Sequence, residues 1–231
     1  MRLKDFRSNW RAIMTLYDQG DQLYYEQKFL EAAEKFKECI RSGIDVIDSM
    51  NYLGCCEMRL GRLDEAHRWF DEAILVDPEW ARLYTNKSRA YMKQKDDSKA
   101  LEFLQKALQL NEADEDTLYY LGVFYEGQGD LQSARKAYLK SLEINPDQPE
   151  TLLNCGVVEY RLNHIEEAKK RLEAAIILDP NESLAYWNLA QIYRGTYHYP
   201  EALNYLNKYL ELNKEDEEAK ALLGKLKADL Q

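Results

Sequence analysis

Three histidines and four cysteines are the residues of this chain best suited to metal or nucleophilic chemistry, and their spacing works against both. His164 and His198 stand 34 residues apart at the same repeat position, and two histidines without carboxylate or thiolate partners make a poor zinc site. His67 is expected on a helix surface. Cys39, Cys55, Cys56 and Cys155 contain no CxxC pair, and the adjacent Cys55 and Cys56 point to different sides of a helix. Neither a zinc site nor a disulfide framework follows, so buried free thiols are expected. Acidic runs such as Glu215-Asp216-Glu217-Glu218 suit solvated faces or the first turn of a helix better than acid-base work. There is no GxxxxGK loop, GxSxG elbow, HExxH helix or GxGxxG turn after a strand. The expectation is a non-enzymatic chain with no cofactor and no metal.

What remains is recognition chemistry. Tyr17, Tyr119 and Trp187, with Tyr52, Tyr120 and Tyr160, offer large ring surfaces that bury much area at modest entropic cost. Asn86, Asn154 and Asn188 each carry a donor and an acceptor suited to an extended peptide backbone. Arg59, Arg82, Arg89 and Lys93, with Arg161 and Arg194 further on, are suited to a carboxylate, which a guanidinium pairs bidentately.

The elements that must hold these residues are helical hairpins. Residues 115–148 set the pattern: Leu118, Leu121, Gly122 and Tyr125 share one helical face, and Ala134, Tyr138, Ser141 and Leu142 share another. Gly127-Gln128-Gly129-Asp130 turns between them, and Asn145-Pro146 stops the second helix. The same 34-residue unit repeats without insertion as 13–46, 47–80, 81–114, 115–148, 149–182 and 183–216. With Gly122 as position 8, position 20 is alanine six times: Ala32, Ala66, Ala100, Ala134, Ala168 and Ala202. Position 8 is Gly20, Gly54, Ser88, Gly122, Gly156 and Ala190. A glycine inside a helix costs roughly 1 kcal/mol against alanine, so its recurrence requires a close helix crossing. Phe36, Phe70, Leu104, Tyr138, Leu172 and Leu206 at position 24 fill the space that the small residues leave.

Those positions resemble the tetratricopeptide repeat, which prefers Leu-Gly at positions 7 and 8, Tyr at 11, Ala at 20 and 27, an aromatic residue at 24 and Pro at 32. Leu53-Gly54, Leu121-Gly122, Tyr91, Tyr125, Tyr193, Ala73, Ala107, Ala175, Pro78, Pro146 and Pro180 carry the match. Lys87 at position 7, Asp97 in a turn and Tyr209 at position 27 depart from it. The resemblance implies an all-α, right-handed superhelix of six hairpins, its concave groove lined by positions 2, 5, 6, 9, 12 and 13. Tyr17, Tyr119, Trp187, Tyr52, Tyr120, Asn86, Asn154, Asn188, Arg82, Arg89, Arg59, Lys93, Tyr160, Arg161 and Arg194 all fall on those positions. With six acids, among them Asp18 and Glu126, against six bases, the implied groove is neutral on a chain of net charge −10.

The carboxylate clamp of heat-shock co-chaperones is similar to a set of Lys and Asn, then Asn, then Lys and Arg in successive units. Asn86 matches the middle term, but Asn51, Cys55, Asp116 and Tyr120 occupy the others, so that clamp is expected to be absent. The expected function is an adaptor or scaffold binding a peptide segment or partner helix in the groove, with self-assembly into a homo-oligomer as the alternative. Residues 217–231 place Ala219, Leu222, Leu223, Leu226 and Leu230 on one face of a capping helix. Residues 1–12 extend the first helix, which is expected to begin near Lys4, and carry a basic amphipathic pattern: Arg2, Lys4, Arg7 and Arg11 around Leu3, Phe6 and Trp10. A pI near 5.0 makes nucleic acid an unfavourable partner. With no secretory signal and no apolar run able to span a bilayer, a cytoplasmic protein is expected.

Overall fold

A computed structural model of the chain describes residues 15–229. By its packing the chain divides into two compact units, Met1–Glu112 and Ala113–Gln231, and the described residues form thirteen helices and no strand.

The first unit holds three hairpins: α1 (Leu16–Tyr25) with α2 (Phe29–Ser42), α3 (Val46–Arg59) with α4 (Leu63–Val76), and α5 (Ala81–Gln94) with α6 (Asp97–Leu110). Helix α1 opens on a capping box, in which Thr15 Oγ1 accepts from Asp18 N at 3.0 Å and Thr15 N donates to Asp18 Oδ2 at 2.9 Å. The extension expected for residues 1–12, with its helix start near Lys4 and its basic amphipathic face, lies outside the described residues. Between the helices of a hairpin the residue at position 15 takes the left-handed conformation. Gly61 and Gly129 do so at no steric cost, whereas Gln27, Lys95, Asn163 and Tyr197 do so at φ of 60° to 64°.

Close crossing explains the small residues. A Cβ on Gly20 would stand 2.9 Å from the ring of Phe36, and one on Gly54 only 2.5 Å from Phe70. Lys87, the departure at position 7, is buried, and its ammonium group pairs with Asp71 and lies 4.7 Å from the centre of the Phe103 ring. The position therefore keeps its inward direction, with aliphatic stem and ring doing the packing.

The second unit holds α7 (Glu115–Gly127) with α8 (Leu131–Ile144), α9 (Pro149–Arg161) with α10 (Ile165–Leu178), and α11 (Ser183–Gly195) with α12 (Tyr199–Leu212). A last helix, α13 (Glu217–Asp229), packs against α12. Asp114 and Asp130 cap α7 and α8, accepting from Thr117 N and Ser133 N, and Pro149 takes the first turn of α9, where its missing N–H has no partner to lose. Tyr209, too large for its position in the pattern, donates to Asp216 Oδ2 at 2.7 Å, and Asp216 Oδ1 accepts from Ala219 N at 2.9 Å. The departure thus ties α12 to the start of α13. Ala219 and Leu226 of α13 are buried, while Leu222 and Leu223 are half-buried; Leu230 lies outside the described residues. Among the described residues no helix is long and apolar enough to cross a membrane.

Candidate partner-binding surface

Within each unit, first helices of neighbouring hairpins meet through residues 35 apart, position 5 of one against position 6 of the next. Asn86 Nδ2 donates to Asn51 Oδ1 at 2.7 Å, and Asn86 Oδ1 accepts from Arg89 at 2.7 Å. Both asparagines are buried, at 4% and 6% exposure, so Asn86 is a brace inside the unit and not a rung offered to a peptide. Asn154 Nδ2 donates to Tyr119 Oη at 3.3 Å in the same arrangement. Asn188 donates to the carbonyl of Leu184 at 2.7 Å in its own helix; the residue 35 before it, Leu153, has no acceptor in its side chain. The three amides, each suited by its chemistry to an extended peptide backbone, therefore have three different partners within the chain.

The rings divide in the same way. Tyr17 and Tyr52 are half-buried in an aromatic cluster: their centroids are 5.9 Å apart, and Tyr52 stacks on Phe36 at 5.2 Å. Burial, with Asp21 beside it, pushes the Tyr52 hydroxyl up to about 12. Tyr119 and Tyr120 meet edge-on at 4.9 Å and border a recess of about 360 Å³ that also contains Asp116, Gln148 and Glu150. Tyr160 is half-buried, its hydroxyl 3.5 Å from where a Cβ on Gly195 would stand. Trp187 lies 5.1 Å from Tyr209 and, with Gln191, Arg194, Leu222 and Lys225, lines a second recess of about 300 Å³.

Burial raises the Cys55 thiol, against the opposing influence of Arg89, Arg82 and Arg59. Arg59 and Arg82 are exposed, as is Lys93, while Arg89 is half-buried against Asn86. Arg59 also lies 5.1 Å from the centre of the Phe29 ring. Arg161 is committed elsewhere: it pairs with Glu126 at 3.1 Å, and Glu126 accepts from Tyr138 Oη at 3.0 Å. Asp18, one of the acids expected in the groove, serves the capping box of α1, where the Thr15 backbone N–H, helped by the Thr15 side chain, holds its carboxyl below the usual range.

Two buried carboxylates were not foreseen from the sequence. Glu57 and Glu159, at 3% and 1% exposure, occupy position 11, where Tyr91, Tyr125 and Tyr193 stand in other hairpins. Glu159 accepts from Arg135 Nε at 2.8 Å and contacts His164 Nδ1 at 2.6 Å; Glu57 accepts from Arg62 at 3.2 Å. The available signal was an acid at an inward position followed five residues later by a base. His164 is thereby assigned to Glu159, while His198 contacts Thr196 Oγ1 at 3.1 Å and His67 contacts Gln94 at 3.0 Å. All four cysteines are buried and free.

The tetratricopeptide repeat pattern matches residues 47–80, 91–152, 125–190 and 160–226. Among curated proteins, Hsp70-Hsp90 organizing protein 3 of Arabidopsis thaliana is 26% identical over 91 residues, 39% of this chain. That match spans 16% of the relative's length. Among solved structures, a chain of the APC/C hetero-tetramer Cut9-Hcn1 superposes with a TM-score of 0.79 at 19% identity, over 91% of this chain and 42% of that one. PilF of Pseudomonas aeruginosa gives 0.74 at 16% identity, over 91% and 96% of the two chains. YrrB, described as having an unusual peptide-binding site, gives 0.62 at 20% identity, over 82% and 98%. At such identities the likeness shows the fold alone, an all-α array of tetratricopeptide hairpins.

Proposed function

Because this chain belongs to the tetratricopeptide repeat family, a protein-interaction module, we propose that it is a non-enzymatic adaptor or scaffold in the cytoplasm. It holds a peptide segment or partner helix of another protein along the first helices of its hairpins, in the concave groove that the family arrangement implies. The observation that carries the proposal is the cationic set on the first helices of the first unit, where Arg59, Arg82 and Lys93 are exposed and Arg89 is half-buried against Asn86. Cations gathered on an otherwise acidic chain of net charge −10 favour an acidic segment. In the second unit the corresponding first-helix residues are half-buried Tyr120, Tyr160, Trp187 and Asn188, with Arg194.

The likeness to Hsp70-Hsp90 organizing protein 3 does not bring its partners with it. Asn51, Cys55, Asp116 and Tyr120 stand where a carboxylate clamp would need its charged and amide groups, and Asn86 at its centre is already bonded to Asn51 and Arg89. The proposal is tested by capturing a partner with the intact chain and measuring its affinity for the Arg59→Ala/Arg82→Ala/Lys93→Ala variant. At roughly 0.7 kcal/mol for each exposed pair, binding is expected to weaken about 30-fold and to lose most of its salt dependence. Affinity unchanged in this variant and in Trp187→Ala sinks the groove assignment.

A second reading, self-assembly, is supported by α13. A Cβ on Gly224 would meet nothing within 4 Å, so this helix leaves open a face that the equivalent glycines in the hairpins bury. Light scattering that reports a monomer at high concentration removes this reading.

A further inference from the structure

Three joints between hairpins can be compared within this molecule. In each, a proline is followed six residues later by the residue that packs over its turn, and nineteen residues after that by a residue of the second helix. In the first unit these are Pro78, Tyr84 and Phe103: Tyr84 Oη donates to the Pro78 carbonyl at 2.8 Å, and its ring stacks beside Phe103 at 6.2 Å. At the start of α11 they are Pro180, Tyr186 and Tyr205, with a hydroxyl bond of 3.2 Å and ring centroids 6.5 Å apart. At the start of α9 they are Pro146, Leu152 and Arg171. Here the ring is missing, its hydroxyl is missing, and a guanidinium takes the place of the second ring.

The space left by that exchange is open. A cavity of about 280 Å³ lies between Leu142, Pro146, Leu152 and Ala174, with Arg171 in its wall. Ile177 and Leu178 stand at its rim, 79% and 40% exposed, as Leu75 and Val76 are at the same repeat positions of the first unit. Arg171 is half-buried and reaches the buried thiol of Cys155. Asp147 is the only residue this cavity shares with the recess beside Tyr119 and Tyr120, so the two open on different sides of the α8–α9 turn.

We propose that this cavity is a docking site, separate from the groove, for a tyrosine side chain presented by a partner polypeptide. The incoming ring takes the place that Tyr84 and Tyr186 fill in their own joints, lies against the Arg171 guanidinium, and donates its hydroxyl hydrogen bond to the Pro146 carbonyl. The sister joints show that this turn accepts a phenol and which carbonyl it bonds. The guanidinium favours a ring face over an aliphatic side chain, since cations are drawn to the ring quadrupole. Ile177 and Leu178 supply the apolar collar that excludes water around a recognition anchor.

The test uses the full chain and phage-displayed random dodecapeptides, selected on the wild type and counter-selected on Leu152→Tyr, which fills the cavity from within as Tyr84 and Tyr186 do. Recovered sequences are expected to share a tyrosine, and a recovered peptide is expected to bind Leu152→Tyr at least about 30-fold more weakly, the loss of one anchor. Arg171→Gln weakens it about fivefold by removing the cation from the ring. Amide shifts in an NMR titration are expected at 142–147 and 171–178. The Arg59→Ala/Arg82→Ala/Lys93→Ala variant leaves this binding unchanged, so failure here and failure of the groove are told apart. Should Leu152→Tyr lose its helical circular dichroism, Ile177→Lys, at a site 79% exposed, replaces it as the variant that must weaken binding. Recovered peptides without an aromatic residue, no peptide that distinguishes wild type from the filled cavity, or binding indifferent to these variants overturns the proposal.

Discussion

Gly122→Ala and Gly224→Ala place the same methyl group at the same position of the repeat, and the structure predicts opposite signs for them. A Cβ on Gly122 would lie 2.4 Å from two atoms of the Tyr138 ring, which is fully buried and cannot swing to solvent. Alanine gains about 1 kcal/mol over glycine in a helix. Overpacking of this kind costs about 2 kcal/mol. Displacing the ring also strains the 3.0 Å bond from Tyr138 Oη to the Glu126 carboxylate, worth about 2 kcal/mol with a charged acceptor. The net loss is about 3 kcal/mol. Gly224 has nothing within 4 Å, so its alanine variant keeps the helix gain of about 1 kcal/mol. Because repeat arrays unfold in parts, the measurement is native-state hydrogen exchange resolved by helix. Amides of α7 and α8 in Gly122→Ala are expected to exchange about 150-fold faster, and those of α13 in Gly224→Ala about fivefold more slowly. Tyr138→Leu should restore most of the loss, since Ala190 with Leu206 is the pair already present in a later hairpin of the second unit. Protection in Gly122→Ala equal to wild type, or lost protection in Gly224→Ala, refutes the steric account of the glycines.

Arg135→Ala leaves the carboxylate of Glu159, 1% exposed, without its 2.8 Å guanidinium partner. Because Arg135 is itself 34% exposed and His164 remains in place, the cost is expected near 2 kcal/mol and not the larger value of a fully enclosed pair, and a urea midpoint no lower than wild type contradicts it. Burial raises the Cys155 thiol from 9.0 to about 11. A raised acid stabilises the fold fully below pH 9.0, and that contribution is lost as pH rises through about 11, so stability falls in this window. Urea titrations from pH 8 to 12 should show a shallower decline for Cys155→Ala, and an identical slope would assign the effect to other groups.

The hairpin period was legible because its cause is local and repeated: Gly20, Gly54, Gly122 and Gly156 each face a bulky position 24, and each spacing is visible in the chain. The turn at Gly127-Gln128-Gly129-Asp130 was legible because its residue types announce it. Gly61 and Asn163 take the left-handed position of Gly129, and Gln27, Lys95 and Tyr197 are held there by the helices on either side. Glu57 and Glu159 were hidden because an acid in an amphipathic helix ordinarily faces water, and the bases that let them turn inward, Arg62 for Glu57 and Arg135 with His164 for Glu159, reach them only once the hairpins are folded.

By itself the sequence determined the helix class, the six-fold repetition, the alanine and glycine crossings and the set of residues on each helical face. These follow from side-chain periodicity and volume within a single hairpin. Only the tertiary structure decided what those faces do, because function-bearing side chains bond across a separation of 35 residues to whatever the adjacent hairpin presents. That is why Asn86 is sealed against Asn51, Asn154 leans on Tyr119, and Asn188, with a leucine 35 residues before it, bonds within its own helix. The same dependence on a neighbour opens the cavity at Arg171, where Leu152 stands in place of the tyrosine that closes the other two joints.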